Sequence, residues 1–115
     1  MTKCVVLWIS RRKATIVSVT DGVEKIAHLE SAGRWQVGEA PERHLDKYYR
    51  KVTDSISDAQ NIFVFGSARA KMELKCEILK VGTLSHRVVG TETADAMTDS
   101  ELVARAKEIF SSQAG

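Results

Sequence analysis

The stretch Gln60 to Leu79, QNIFVFGSARAKMELKCEIL, constrains this chain more than any other. Ile62-Phe63-Val64-Phe65 is a short unbroken apolar run, the pattern of a central strand covered on both faces of a sheet. Gly66-Ser67 turns the chain, and a helix then runs through Met72, Cys76 and Leu79. A buried strand that leaves through a glycine into a helix belongs to an α/β sheet. In such sheets ligands gather beyond the carboxyl ends of the strands, where the free N–H groups of the following helix point. The Gly66 turn is therefore the first place to expect a site.

Upstream of it the pattern is that of hairpins. Cys4 to Ile9 is apolar at nearly every position and reads as a strand buried on both faces. Ala14 to Val19 is β-branched and alternates, with Ala14, Ile16 and Ser18 opposite Thr15, Val17 and Val19. Only Ser10-Arg11-Arg12 separates the two, so they pair antiparallel. Asp21-Gly22 is the preferred two-residue hairpin turn, which makes Val23 to Leu29 a third strand. Residues 31–40, SAGRWQVGEA, hold two glycines and no sustained period. They read as a loop of the length that often carries function, with Trp35 either folded back on the sheet or exposed as a contact.

Pro41 fits the first turn of a helix. Leu45, Tyr48 or Tyr49, Val52 and Ile56 recur at helical spacing to about Ser57, leaving Arg43, Lys47, Arg50 and Lys51 on the other faces. The second helix spans Ala68 to Lys80, with Met72, Cys76 and Leu79 inward, broadened by Leu74, Ile78 and Val81, and with Gly82 as its C-cap. Arg87 to Thr91 is the last strand, and Thr98 with Glu101 forms a capping box for a helix from Asp99 to about Ser111. The order βββαβαβα predicts hairpins in the first half and parallel, right-handed crossovers in the second. The expected architecture is one α/β domain over residues 1–115, a mixed five-stranded sheet with one helix on one face and two on the other.

At 115 residues the chain suits one domain with one core. Cys4 and Cys76 show no CxxC or Cys/His spacing, so they are expected as buried free thiols in a reducing compartment. The apolar run Cys4 to Ile9 is too short for a signal-peptide core or a membrane span, which makes a cytoplasmic protein the default expectation. The net charge is +2, with three basic against five acidic side chains in residues 81–115 and a basic excess before them. That distribution permits a basic face.

The chemistry available is limited. FGSARAK has glycine, hydroxyl and lysine near a helix start, without the GxxxxGK[ST] or GxGxxG frame. Ser67 either caps the helix or, with Arg69 and Lys71, helps to hold an anion at its N-terminus. The strand order resembles that of the ribonuclease H class, and the resemblance implies that a two-metal nuclease of this kind would need carboxylates on the first and central strands. Neither Cys4 to Ser10 nor Asn61 to Phe65 contains one, and Asp95 and Asp99 do not replace them. His28, His44 and His86 fall on different elements, and Cys76 sits mid-helix on the side read as apolar. No metal, cofactor or catalytic residue is expected.

Four segments, VVLWISRRKATI, PERHLDKYYRKV, NIFVFGSARAKMEL and RVVGTETADAMTDSELVARAKEIF, resemble the small bacterial "translational machinery" proteins. Those are similar to the central domain of the peptide-chain release factor and of the related ribosome-rescue factor of archaea and eukaryotes. The resemblance covers about residues 4–110. FGSARAKMEL is its most specific part, with Gly66, Ser67, Lys71, Glu73 and Leu74 in place. It implies a ribonuclease H-like mixed sheet. It sets Gly33-Arg34-Trp35-Gln36 where release factors carry a Gly-Gly-Gln loop, a triplet this chain lacks, and Trp8-Ile9-Ser10 where the bacterial relatives often have Trp-Ile-Asp.

The resemblance thus implies a non-enzymatic domain that touches ribosomal RNA or a ribosomal protein. The contacts would be Arg34, Trp35, Arg43, Lys47, Arg50 and Lys51, together with Gly66, Ser67, Arg69 and Lys71 at the turn. Arg and Lys would meet phosphate, and Trp35 would stack on an unpaired base. Two other readings remain: a homo-oligomeric or protein-interaction domain using a sheet edge or helix face, and a small anionic-ligand or hydrolytic protein using the Gly66-Ser67 turn.

Overall fold

Side-chain parity along the first strand separates the two halves of the core. The computed structural model describes residues 2–31 and 41–111, without the side chains of 41–45, 83 and 111. In it, β1 (Lys3–Ile9) turns Val5, Leu7 and Ile9 to one face of the sheet and Val6 and Trp8 to the other. All five are buried. Five strands follow the order β3-β2-β1-β4-β5, with β2 at Lys13–Thr20, β3 at Val23–Glu30, β4 at Asn61–Gly66 and β5 at Val88–Thr93. β1 and β3 flank β2 antiparallel, whereas β4 runs parallel to both β1 and β5. β1 is thus the middle strand, and the Ile62–Phe65 run read as central lies one place outward, beside it.

The mixed α/β sheet with helices on both faces follows the expected arrangement, and its connectivity is consistent with Rossmann-like or ribonuclease H-like topology. α1 (Pro41–Ile56) and α2 (Ala68–Leu79) cover one face. Tyr48, Tyr49, Val52 and Ile56 from α1, and Ala70, Leu74 and Ile78 from α2, close over Val5, Leu7, Ile9, Ile16 and Val64. α3 (Asp99–Ser111) covers the other face, where Leu102 and Ala106 meet Val6, Trp8, Val17 and Phe65. Each fully buried aliphatic side chain contributes about 1.5–3 kcal/mol relative to exposure, so both layers are needed. The Thr98 capping box forms as read: Thr98 Oγ1 accepts from Glu101 N at 3.1 Å, and Glu101 Oε1 accepts from Thr98 N at 3.3 Å.

Three expectations are corrected. α2 is rotated from the phase read in its sequence: Met72 is 69% exposed, Leu79 58%, and Cys76 is exposed as well. The row turned inward is Ala70, Leu74, Glu77 and Ile78. Small Ala70 lets the helix start lie close to the sheet, and Glu77 is tolerated inside because Arg50 and Lys80 reach it at 3.8 and 3.3 Å. The thiols are consequently not buried, since Cys4 is only half-buried. Finally, Gly82 does not cap α2. It opens a 3-10 turn over Gly82–Arg87 with φ +44, and β5 starts only at Val88.

Candidate functional site: the carboxyl edge of the sheet and the α1–α2 surface

Ile9, Gly66 and Thr93 align across the carboxyl ends of β1, β4 and β5. Gly66 is obligatory there: a β-carbon at this position would overlap the carbonyl oxygen of Ile9, and its φ of +157 is open mainly to glycine. The same carbonyl accepts from Ser67 N at 3.2 Å. Ser67 then caps α2, its Oγ accepting from Ala70 N at 3.4 Å. The hydroxyl is thus directed at its own helix, the structural one of the two roles open to it.

Arg11, which the sequence reading passed over, helps to fix this edge. Its Nε lies 3.0 Å from Glu73 Oε1, and Tyr49 donates its hydroxyl hydrogen to the same oxygen at 3.3 Å. Arg69 Nε stands 3.8 Å from it. Nearby, Tyr48 OH donates to the Ser10 carbonyl at 2.9 Å. Glu73 therefore ties the β1–β2 turn to both helices of this face. Burial pushes the Tyr49 hydroxyl up to about 12, with the negative charge and hydrogen bond of Glu73 adding to the shift. Burial, and then Tyr49, push Tyr48 up as well.

These contacts divide the basic residues of the turn. Arg69 leans toward Glu73 on the α1 side of α2. Lys71 lines a groove of about 290 Å³ on the other side, between α2 and β5, with Val64, Leu74, Lys75 and Val88. Ser67, Arg69 and Lys71 therefore do not converge on one point beyond Gly66. Lys47, Arg50 and Lys51 are exposed on α1, with Arg50 leaning toward Glu77 across the α1–α2 seam. Arg43 belongs to α1, but its side chain lies outside the described residues, as do Arg34, Trp35 and the whole of Gly33–Gln36.

The opposite face spends its charges on holding α3 to the sheet. His28 Nε2 lies 3.0 and 3.1 Å from the two oxygens of Asp99. Lys107 reaches Glu24 at 3.3 Å, and Arg105 meets Glu92 at 3.3 Å and Glu108 at 2.9 Å. Among the described residues no group of three or more His, Cys, Asp or Glu side chains is placed to hold a metal ion. Nor is any helix among them long and apolar enough to cross a membrane.

No family model matches the chain, and no curated protein matches it. Solved structures do. An archaeal translation termination factor, aRF1, superposes with a TM-score of 0.60 over 96% of this chain at 17% identity. The Pelota proteins of Thermoplasma acidophilum and Archaeoglobus fulgidus superpose with TM-scores of 0.64 over 90% and 92% of it, at 13% and 10% identity. The chain spans only about a third of their lengths, 36%, 31% and 31%. Identities this low show a shared fold.

Proposed function

We propose that this chain is a non-enzymatic, cytoplasmic domain of ribonuclease H-like type that docks on ribosomal RNA or on the ribosome through the exposed side of α1. One observation carries the reading: nine-tenths or more of the chain takes the fold of a single portion of a translation termination factor and of two Pelota proteins. Lys47 and Lys51, one helical turn apart, supply phosphate contacts, with Arg50 beside them and Arg43, one turn earlier in the helix, as a further contact of the proposal. Arg69 flanks this surface from the α1 side of α2, Lys71 meets phosphate from the far side of that helix, and Arg34 and Trp35 are further contacts of the proposal, the indole by stacking on an unpaired base. Gly66 and Ser67 act indirectly, by fixing where α2 starts. Binding of this kind is salt-dependent and largely indifferent to sequence.

The test is fluorescence anisotropy of the purified chain with structured ribosomal RNA fragments and with intact ribosomes, across a salt series. Replacing Lys47→Glu and Lys51→Glu together should weaken binding at least tenfold. Each phosphate contact contributes roughly 0.7–0.9 to the slope of log affinity against log salt, so that slope should fall by about two contacts' worth. Arg50→Glu is the wrong variant, because it would set a second carboxylate against Glu77. Absence of binding at low salt would overturn the proposal.

A further inference from the structure

The two edges of the sheet differ in a way that bears on assembly. β5 has six residues and a register shift that leaves Val89 unmatched against β4, features that blunt an edge. β3 has eight residues, runs its full length against β2 without a bulge, and contains no proline. Every residue of β3 except Leu29 is exposed, including Val23 at 58% and Ile26 at 43%. Among the described residues no strand lies on its outer side.

Which backbone groups face outward follows from the hairpin. Asp21 and Gly22 both have positive φ, 53 and 78, the tight turn in which the flanking pair Thr20–Val23 is hydrogen-bonded. Alternation from that pair directs Val23, Lys25, Ala27 and Leu29 at β2. It leaves the N–H and C=O groups of Glu24, Ile26, His28 and Glu30 on the open edge. A second copy that continues the sheet through a two-fold axis perpendicular to it must oppose residues of the same parity.

Few registers meet that condition. Centring on Lys25 sets Lys25 against Lys25. Centring on Ala27 sets Glu24 against Glu30 on both sides of the axis. Centring on Ile26 sets Ile26 against Ile26, Glu24 against His28, Val23 against Leu29 and Lys25 against Ala27, with no like charges opposed. Glu24 is already held by Lys107, and His28 by Asp99. Their cross-strand pairing would link α3 of one copy to α3 of the other through a chain of polar contacts from Lys107 through Glu24 and His28 to Asp99.

We propose that a second copy of this chain pairs antiparallel along β3 about a two-fold axis at Ile26, giving a continuous ten-stranded sheet. About six backbone hydrogen bonds would join the copies. The two α1 helices would stand on one side of the sheet and the two α3 helices on the other. This rests on the edge geometry and is independent of the RNA reading.

Sedimentation equilibrium of the full chain over the micromolar range should show its mass rising from one chain to two. Ile26→Lys opposes two ammonium groups on the axis and should remain one chain at every concentration, with an unchanged circular-dichroism spectrum. Register is read by cysteine trapping in a Cys4→Ala, Cys76→Ala background. Directly opposed hydrogen-bonded residues lie about 5.5 Å apart at Cα, within disulfide range, whereas residues displaced by two are not. Ile26→Cys should therefore cross-link at least tenfold faster than Ala27→Cys under mild oxidation. A single-chain mass throughout, a dimer that survives Ile26→Lys, or equal cross-linking of the two cysteine variants would each overturn the proposal.

Discussion

At the scale of the residue, the carboxyl edge is a place where atoms leave no room. Gly66 is buried where β1 and β4 run in parallel, against the carbonyl that also receives Ser67 N–H. Gly66→Ala can be accommodated only by moving β4 or bending the Ile9 peptide, so it should cost about 2–3 kcal/mol, the range of overpacked sites. A drop in the urea midpoint without change in slope would show it. The tyrosines make a second point. Tyr49 keeps its proton in the folded state up to about 12, whereas an ordinary tyrosine gives it up near 10.0. Below about pH 10 both states are protonated and its contribution is complete. Between 10 and 12 the unfolded chain loses the proton that the folded one retains, so stability falls as pH rises. Tyrosinate absorbance should lag behind that of the unfolded chain across this window, and Tyr49→Phe should flatten the alkaline loss of stability.

At the scale of the element, α2 shows where a sequence is legible and where it is not. Its existence and start were readable, because a glycine after an apolar run and a hydroxyl at the cap are local signals. Its phase was not. Two apolar rows compete on this helix, Met72–Cys76–Leu79 and Ala70–Leu74–Ile78, and periodicity alone does not rank them. What decides is tertiary: the second row contains Glu77, which reads as an outward residue until Arg50 and Lys80 are seen to reach it. For the same reason Arg11 was passed over, since its partner Glu73 is distant in sequence. The three strands of the meander were legible because alternation and the Asp21-Gly22 turn carry their whole register. Glu77 yields a prediction at this scale. Its cations are exposed and stay solvated without it, so Glu77→Leu, which removes the burial of a carboxylate and keeps the volume, should change stability by less than about 1 kcal/mol or improve it. Glu77→Lys would gather three cations at the seam and should cost more than about 2 kcal/mol. Similar losses for the two variants in urea melts would mean that the ion pair itself holds the helices together.

At the scale of the whole molecule, the placement of α1 connects surface charge to assembly. α1 shares its sheet face with α2 and lies against α2 and β3, and a two-fold axis perpendicular to the sheet preserves faces. Two copies joined at β3 therefore present two rows of Lys47, Arg50 and Lys51 on one side of a ten-stranded sheet. An extended RNA that spans both rows binds the second as an intramolecular event, so affinity exceeds that of one row without any new kind of contact. The paired chain also releases roughly twice as many counterions, which steepens the dependence on salt toward twofold. Ile26→Lys separates this from a simple effect of charge. It adds a cation, which alone would strengthen binding to RNA, yet it abolishes pairing. Ile26→Lys should thus bind a long structured ribosomal RNA fragment more weakly than the unmodified chain and with a shallower salt slope. On a short fragment that only one α1 can occupy, it should bind at least as well. Tighter binding by Ile26→Lys on long and short fragments alike would mean that α1 acts singly and that pairing along β3 plays no part in holding RNA.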